Sequence, residues 1–89
     1  MKIQLYTGPA GSGKTRRLRA AVADLPDAKV LDLTGATLRA VKRNLAYFWS
    51  PDMTIIVDEA TADVHQFLHR SEHPGQAHVV LSARAECAA

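Results

Sequence analysis

Cysteine is nearly absent: the 89 residues contain one, Cys87. A single thiol forms no internal bridge, which excludes a disulfide scaffold and removes any sign of an oxidising compartment. Long apolar runs are missing too, since none approaches the ~18–20 residues that cross a bilayer. The first residues, MKIQLYTGPAG, are too short and too polar for a signal peptide, so a cytoplasmic location is expected, with no membrane partner. Neither charge dominates: eleven Lys and Arg face nine Asp and Glu, for a net charge of +2. That surplus is only a weak lean toward polyanionic partners. Repeats, low-complexity segments and linkers are absent, and 89 residues is below the usual domain size of roughly 100–150, so residues 1–89 form a single domain. What remains is ordinary globular composition, 47% hydrophobic and 22% charged. It excludes a disordered or collagen-like chain.

Apolar β-type runs alternate with helical patterns from end to end. Lys2–Tyr6 reads as a strand. Leu18, Ala21, Val22 and Leu25 then recur at helical spacing in Lys14–Leu25, and Pro26 stops that helix. Lys29–Leu33 is a second strand. Leu38, Val41, Leu45 and Phe48 mark a helix over Thr37–Trp49, closed by Ser50-Pro51-Asp52. Thr54–Val57 is a third strand, Ala60–Arg70 a third helix ended by Pro74-Gly75, and His78–Leu81 a fourth strand. The order β-α-β-α-β-α-β predicts an α/β fold with a parallel sheet and covering helices.

Glycine is also scarce, yet three of the five fall in one loop between the first strand and first helix. Gly8-Pro9-Ala10-Gly11-Ser12-Gly13-Lys14-Thr15 satisfies G-x-x-x-x-G-K-[ST], the phosphate-binding loop known as Walker A. Glycines let a polyphosphate approach the main chain, and the N–H groups from Gly11 to Thr15 form an anion nest strengthened by the helix start. Lys14 bridges the β- and γ-phosphates in such a loop, and the Thr15 hydroxyl ligates Mg²⁺. Arg16, next in line, is counted with the nucleotide-binding residues. A glycine-rich turn that binds nothing is the competing explanation; the strand before and helix after argue against it.

The third strand, Thr54-Ile55-Ile56-Val57, runs into Asp58-Glu59. With Gly8–Thr15 this resembles the Walker A and Walker B pair of P-loop NTPases, in the additional-strand, catalytic-glutamate division of RecA-like, AAA-type and helicase-like ATPases. The resemblance spans roughly Met1 to Arg84 and implies a three-layer fold, ATP and Mg²⁺ as ligands, Asp58 holding Mg²⁺ through water, and Glu59 polarising the attacking water. It further implies that Ser82, after the fourth strand, contacts the γ-phosphate as a sensor; a plain turn residue is an equal alternative. Asp58-Glu59 has its own bland alternative, capping of the following helix. Members of the division usually carry a further strand beside the Walker A strand, whereas this sequence stops after its fourth.

Patterning bears on strand order independently. The third and fourth strands are apolar on both faces, as central parallel strands are, while the first and second carry Lys2, Gln4, Lys29 and Asp32. The expected order is 1-4-3-2. Right-handed crossovers then put the first helix alone on one face and the other two opposite.

Other constellations are weaker. His65, His69 and His73 recur every four residues, a spacing that suits a metal but more often a solvated helix exterior. Arg16, Arg17 and Arg19, with Arg39, Lys42 and Arg43, form either a nucleic-acid-tracking face or an ordinary solvated surface, the latter favoured. Arg70 and Arg84 are assigned to the carboxyl edge as candidate arginine fingers. Trp49, with Tyr47 and Phe48, closes the second helix and is read as core, with a base-stacking platform as the less favoured alternative.

The sequence thus predicts Mg²⁺-dependent ATP binding and hydrolysis through residues 8–15 and 54–59, with Lys14, Glu59 and Ser82 as catalytic groups and Thr15 and Asp58 as metal ligands. The alternative is a nucleotide-responsive module with little turnover on its own. A small-molecule kinase ranks last, for want of an arginine-rich lid. ATP is preferred over GTP only through the resemblance. Self-association or docking onto a larger protein is expected, and nucleic acid is a candidate partner.

Overall fold

The two wholly apolar segments of the sequence lie side by side in the centre of the sheet. In the computed structural model, which describes residues 1–9, 11–47 and 50–82, β3 (Thr54–Ala60) pairs in parallel with β4 (Gln76–Leu81), with Ile55 opposite Ala77 and Val57 opposite Val79. β1 (Lys2–Tyr6) pairs with the other side of β4, and β2 (Val30–Asp32) with the other side of β3. The order is β1-β4-β3-β2, all parallel, as the patterning predicts. Polar residues on β1 and β2 are tolerated because, among the described residues, each of these strands pairs on one side only.

Three helices cover the sheet: α1 (Lys14–Val22), α2 (Leu38–Tyr47) and α3 (Ala62–Arg70). Strand side chains alternate between faces, and the buried residues sort accordingly. Ile55, Val57, Ala77 and Val79 pack with Val41 and Leu45 of α2 and Val64 and Leu68 of α3. Ile56 and Val80 pack with Leu18 and Val22 of α1. One helix therefore stands alone on its face, and two share the other. Among the described residues no helix is long and apolar enough to cross a membrane.

Several boundaries differ from expectation, β4 among them, which starts at Gln76 rather than His78. α1 ends at Val22, because Pro26 restricts Leu25 to extended backbone and the chain tightens through Ala23 N–H to Ala20 O (3.3 Å) and Leu25 N–H to Val22 O (3.1 Å). Leu25, the last residue of the expected helix, is left 37% exposed beyond the end of α1. A 3₁₀ turn, Asp27–Lys29, takes the start of the expected second strand. β3 runs three residues beyond Val57, through both acidic residues. Tyr47 closes the described part of α2 and is 78% exposed rather than in the core; Phe48 and Trp49 lie outside the described residues.

Because all strands are parallel, their carboxyl ends share one edge. At the opposite edge the Met1 ammonium donates to Ser71 O at 2.9 Å and Lys2 N–H to Gly75 O at 3.0 Å. Arg70, next to Ser71, lies at that amino edge. This corrects its assignment to the carboxyl edge: α3 starts after β3 and runs back down the sheet.

Candidate functional site

Residues 7–13 connect the carboxyl end of β1 to α1. Gly8 (φ 138°), Gly11 (φ 82°) and Gly13 (φ 82°) all have positive φ. Two of them show why glycine is required. A Cβ on Gly8 would fall 2.6 Å from Ser12 Oγ, so a side chain there would push the Ser12 side chain aside, and at φ 138° it would be strained besides. Gly13 is the residue before α1, in left-handed backbone (φ 82°, ψ 26°), and its carbonyl accepts the Arg17 N–H at 2.9 Å. Ser12 N–H donates to Pro9 O at 3.1 Å, which folds the loop on itself. Arg17 Nη2 donates to Thr7 O at 2.8 Å and ties the helix back to the loop's first residue.

α1 begins at Lys14 without a side-chain cap and with no acidic residue in its first turn. Neither a cap nor an acidic residue of the helix's own first turn offsets its positive dipole end. Lys14 is half-buried there, and Thr15 and Arg16 are exposed. Ala10 lies outside the described residues.

Across the inserted β4, the end of β3 is built differently. Val57 and Ala60 both belong to the core beneath α2 and α3, although a spacing of three would put them on opposite faces. A bulge absorbs the odd residue: Val57 pairs with Val79, and Ala60 with Leu81. Glu59 sits in that bulge with φ 57°, left-handed backbone that costs a non-glycine residue roughly 1 kcal/mol. It is exposed, and its N–H donates to Asp58 Oδ1 at 2.9 Å.

Asp58 is 7% exposed. Among the described residues no basic side chain pairs with it, and its carboxylate accepts only the Glu59 N–H. A carboxyl buried with so few partners is a costly arrangement for its charged form, because burying a lone charge is expensive. Neither acid caps α3. Thr61 precedes that helix, its hydroxyl bonded to Asp63, and Asp63 Oδ1 accepts the Val64 N–H at 2.8 Å. The capping alternative is thereby removed.

One part of the site escaped sequence reasoning. The turn after β2 clasps the end of β3: Gly35 N–H donates to Asp58 O at 3.0 Å, and Asp58 N–H to Thr34 Oγ1 at 3.4 Å. Thr34 Oγ1 donates to Asp32 Oδ1 at 2.6 Å and accepts from Arg19 Nη2 at 3.3 Å. Arg19 Nη1 reaches Asp32 Oδ2 at 3.0 Å. Partial burial pushes the Asp32 pKa up, but hydrogen bonds from Thr34 and Arg19 outweigh it and hold the carboxyl below its usual range. α1 is therefore tethered to β1's loop by Arg17 and to β2's turn by Arg19. The signal available was the pair Thr34-Gly35 at the carboxyl end of a strand, where open α/β sheets bind ligands.

Ser82 ends β4 between these parts, its N–H bonded to Ala60 O at 2.9 Å. The sheet thus gathers the residue 8–15 loop, Ser82, Asp58 and Glu59 at one edge. The structure does not bring the histidines into a metal site. His65 and His69 are neighbours, 6.1 Å between ring centres, and no group of three metal-ligating side chains forms among the described residues. Arg84 lies outside the described residues. The six-residue basic stripe is also broken, since α1 and α2 occupy opposite faces and Arg17 and Arg19 are engaged in the site.

Fold and loop define a parallel α/β domain with a glycine-rich strand–loop–helix unit at its carboxyl edge. The chain matches no protein-family model, no curated protein and no solved structure.

Proposed function

We propose that the protein is a P-loop nucleoside triphosphatase that binds Mg²⁺·ATP at the carboxyl edge of its sheet. The observation that carries the reading is the pairing of a left-handed glycine loop and uncapped helix start with a buried, uncompensated carboxylate one strand away, at Asp58. Main-chain groups of residues 8–15 hold the phosphates, with Arg16 beside them, and Lys14 offsets their charge. Thr15 and Asp58 hold Mg²⁺, which supplies charge neutralisation at the transferring phosphoryl group. Glu59 orients water, and Ser82 senses the γ-phosphate. Catalysis of this kind is positioning and electrostatics, with no covalent intermediate.

Lys14→Ala is expected to weaken ATP binding by about 100-fold, from lost charge-assisted hydrogen bonds. Glu59→Gln is expected to leave binding intact and lower turnover by roughly 10²–10³-fold. Titration calorimetry and phosphate release check the two. Wild-type hydrolysis by Glu59→Gln would overturn the role of Glu59, and unaltered ATP affinity in Lys14→Ala would overturn the site.

Glu59 is exposed, which favours a second reading in which the isolated chain binds nucleotide and turns over little until a partner excludes water. The open edge of β1, blunted only by Lys2 and Gln4, supports a second copy or a larger chain as that partner. Light scattering with and without ATP tests this. A strict monomer hydrolysing ATP at several per second, on the order of ordinary turnover, excludes the second reading.

A further inference from the structure

The remaining charge of the molecule is unevenly placed. α2 carries Arg39, Lys42 and Arg43 and no acidic residue, and α3 carries Arg70 against Asp63. The two helices together hold +3 of a chain whose net charge is +2, so everything else sums to −1. All four cations are exposed, and none has an ion-pair partner among the described residues. Asp63 is already engaged, by the Thr61 hydroxyl and the Val64 N–H.

Position follows from helix geometry. Val41 and Leu45 face the core, which turns Arg39, Arg43 and Tyr47 outward at intervals of four, one above another. Lys42 lies between that stripe and α3, its Nζ 5.5 Å from the Phe67 ring centre. Beside it a groove of about 330 Å³ runs between the helices, lined by Leu38, Lys42, Gln66, Phe67 and Arg70, with the already engaged Asp63 at its rim. Tyr47 stands at the end of the stripe, 78% exposed. A large aromatic left in water beside guanidinium groups is an unusual expense for a small domain. It is also the pairing that recognises phosphates and unstacked bases together.

We infer that the outer face of α2 and α3 binds single-stranded nucleic acid, with Arg39, Lys42, Arg43 and Arg70 on phosphates and Tyr47 stacked on a base. The span from Arg39 to Tyr47 is about 12 Å at helical rise, roughly two or three phosphates of an extended strand, and Arg70 on α3 adds a further contact. An acidic protein would use the cations but not the exposed ring. A duplex would present no base face to it. The inference does not rest on the nucleotide site, which lies at the carboxyl edge of the sheet.

The test is fluorescence anisotropy of a labelled thymidine oligonucleotide with the full chain over a range of salt. Four phosphate contacts predict a slope of log K against log salt of about −3. Arg39→Ala combined with Arg43→Ala is expected to weaken binding by 10-fold or more and to reduce the slope by about 1.4. Tyr47→Ala is expected to weaken binding about tenfold with the slope unchanged, because stacking releases no counterions. Lys2→Ala, on the opposite face of the sheet, and Lys14→Ala, in the phosphate loop, are expected to bind as wild type. Each altered side chain on α2 is exposed, and circular dichroism confirms that the variants fold. Binding unaltered by the double substitution, equal loss with Lys2→Ala, or loss with Lys14→Ala would overturn the inference. So would an annealed duplex, or polyglutamate of equal charge, competing as well as the single strand.

Discussion

Beneath α2 and α3, ten buried residues form one continuous cluster that draws on β2's following turn, β3, β4 and both helices. Beneath α1 there are four among the described residues: Leu18, Val22, Ile56 and Val80. Tyr6 and Val30 pack against that cluster, and beyond them the lower half of β1 and β4 carries Lys2, Gln4, Gln76 and His78 on this face. The helix that opens the candidate site is thus the one the core holds least. Two arginines compensate, Arg17 to Thr7 and Arg19 to Asp32 and Thr34, and both reach segments of the site itself. Folding is carried by one face and ligand binding by the other, so the site can adjust without opening the main core.

The largest test of that division compares two leucines, both 0% exposed. Leu68→Ala removes a side chain from the large cluster and is expected to cost about 3–5 kcal/mol, enough to unfold a domain of this size. Leu18→Ala leaves a hole that the thinly covered face can close, with an expected cost of about 2–3 kcal/mol. Urea denaturation measures both. Equal losses would mean that the two faces contribute alike.

A ligand sharpens the same contrast. At 100 times its dissociation constant, Mg²⁺·ATP should add about 2.7 kcal/mol to stability, by binding the folded state alone. The gain should vanish in Lys14→Ala, and should restore much of what Leu18→Ala loses while the Leu68→Ala chain stays unfolded. Thermal melts with and without nucleotide decide this. Rescue of Leu68→Ala to the same extent would contradict a site seated on the weaker face.

Much of this was legible in the sequence, for reasons that explain what was not. Ile55-Ile56-Val57 and Val79-Val80-Leu81 belong between other strands because both their faces are apolar, which puts β3 and β4 in the centre as observed; the insertion of β4 beside β1 came from the resemblance. The Gly8–Thr15 loop is legible because its constraint is local backbone geometry. The Thr34 clasp was not legible: its three bonds reach residues 2, 15 and 24 positions away, and only the folded sheet unites them. The bulge at Glu59 was hidden too, since no glycine marks its left-handed residue. Arg70 and Tyr47 were misplaced by one omission. α3 returns to the amino edge, and the helix turns Tyr47 away from Val41 and Leu45.

The strain at Glu59 predicts a smaller effect. Glu59→Gly relieves left-handed backbone but adds entropy to the unfolded chain, so a net gain of up to about 1 kcal/mol is expected. Glu59→Gln keeps the strain and should leave stability unchanged. A loss of stability in Glu59→Gly, seen in urea, would mean that the side chain is held by the fold rather than tolerated by it.

The smallest expected effect is in pH, and each face contributes one histidine to it. His78 lies on the α1 side of β4, its Nδ1 2.8 Å from the Tyr6 hydroxyl, and burial lowers its pKa. His65 lies on α3, where burial first and the neighbouring His69 second lower its pKa. Both therefore resist protonation when folded, and the unfolded chain takes up those protons first, near pH 6.5. Stability should be full above about pH 6.5 and should fall as acid is added, until the folded-state histidines also titrate. His78→Gln, which keeps a polar partner for Tyr6, should remove the part of this slope that belongs to the α1 face, and His65→Gln the part that belongs to α3. Urea titrations between about pH 5 and 7.5 separate them. A slope undiminished by His78→Gln would show that the lower half of the α1 face is open to water in solution, and that this face is thinner still than the four-residue cluster beneath α1.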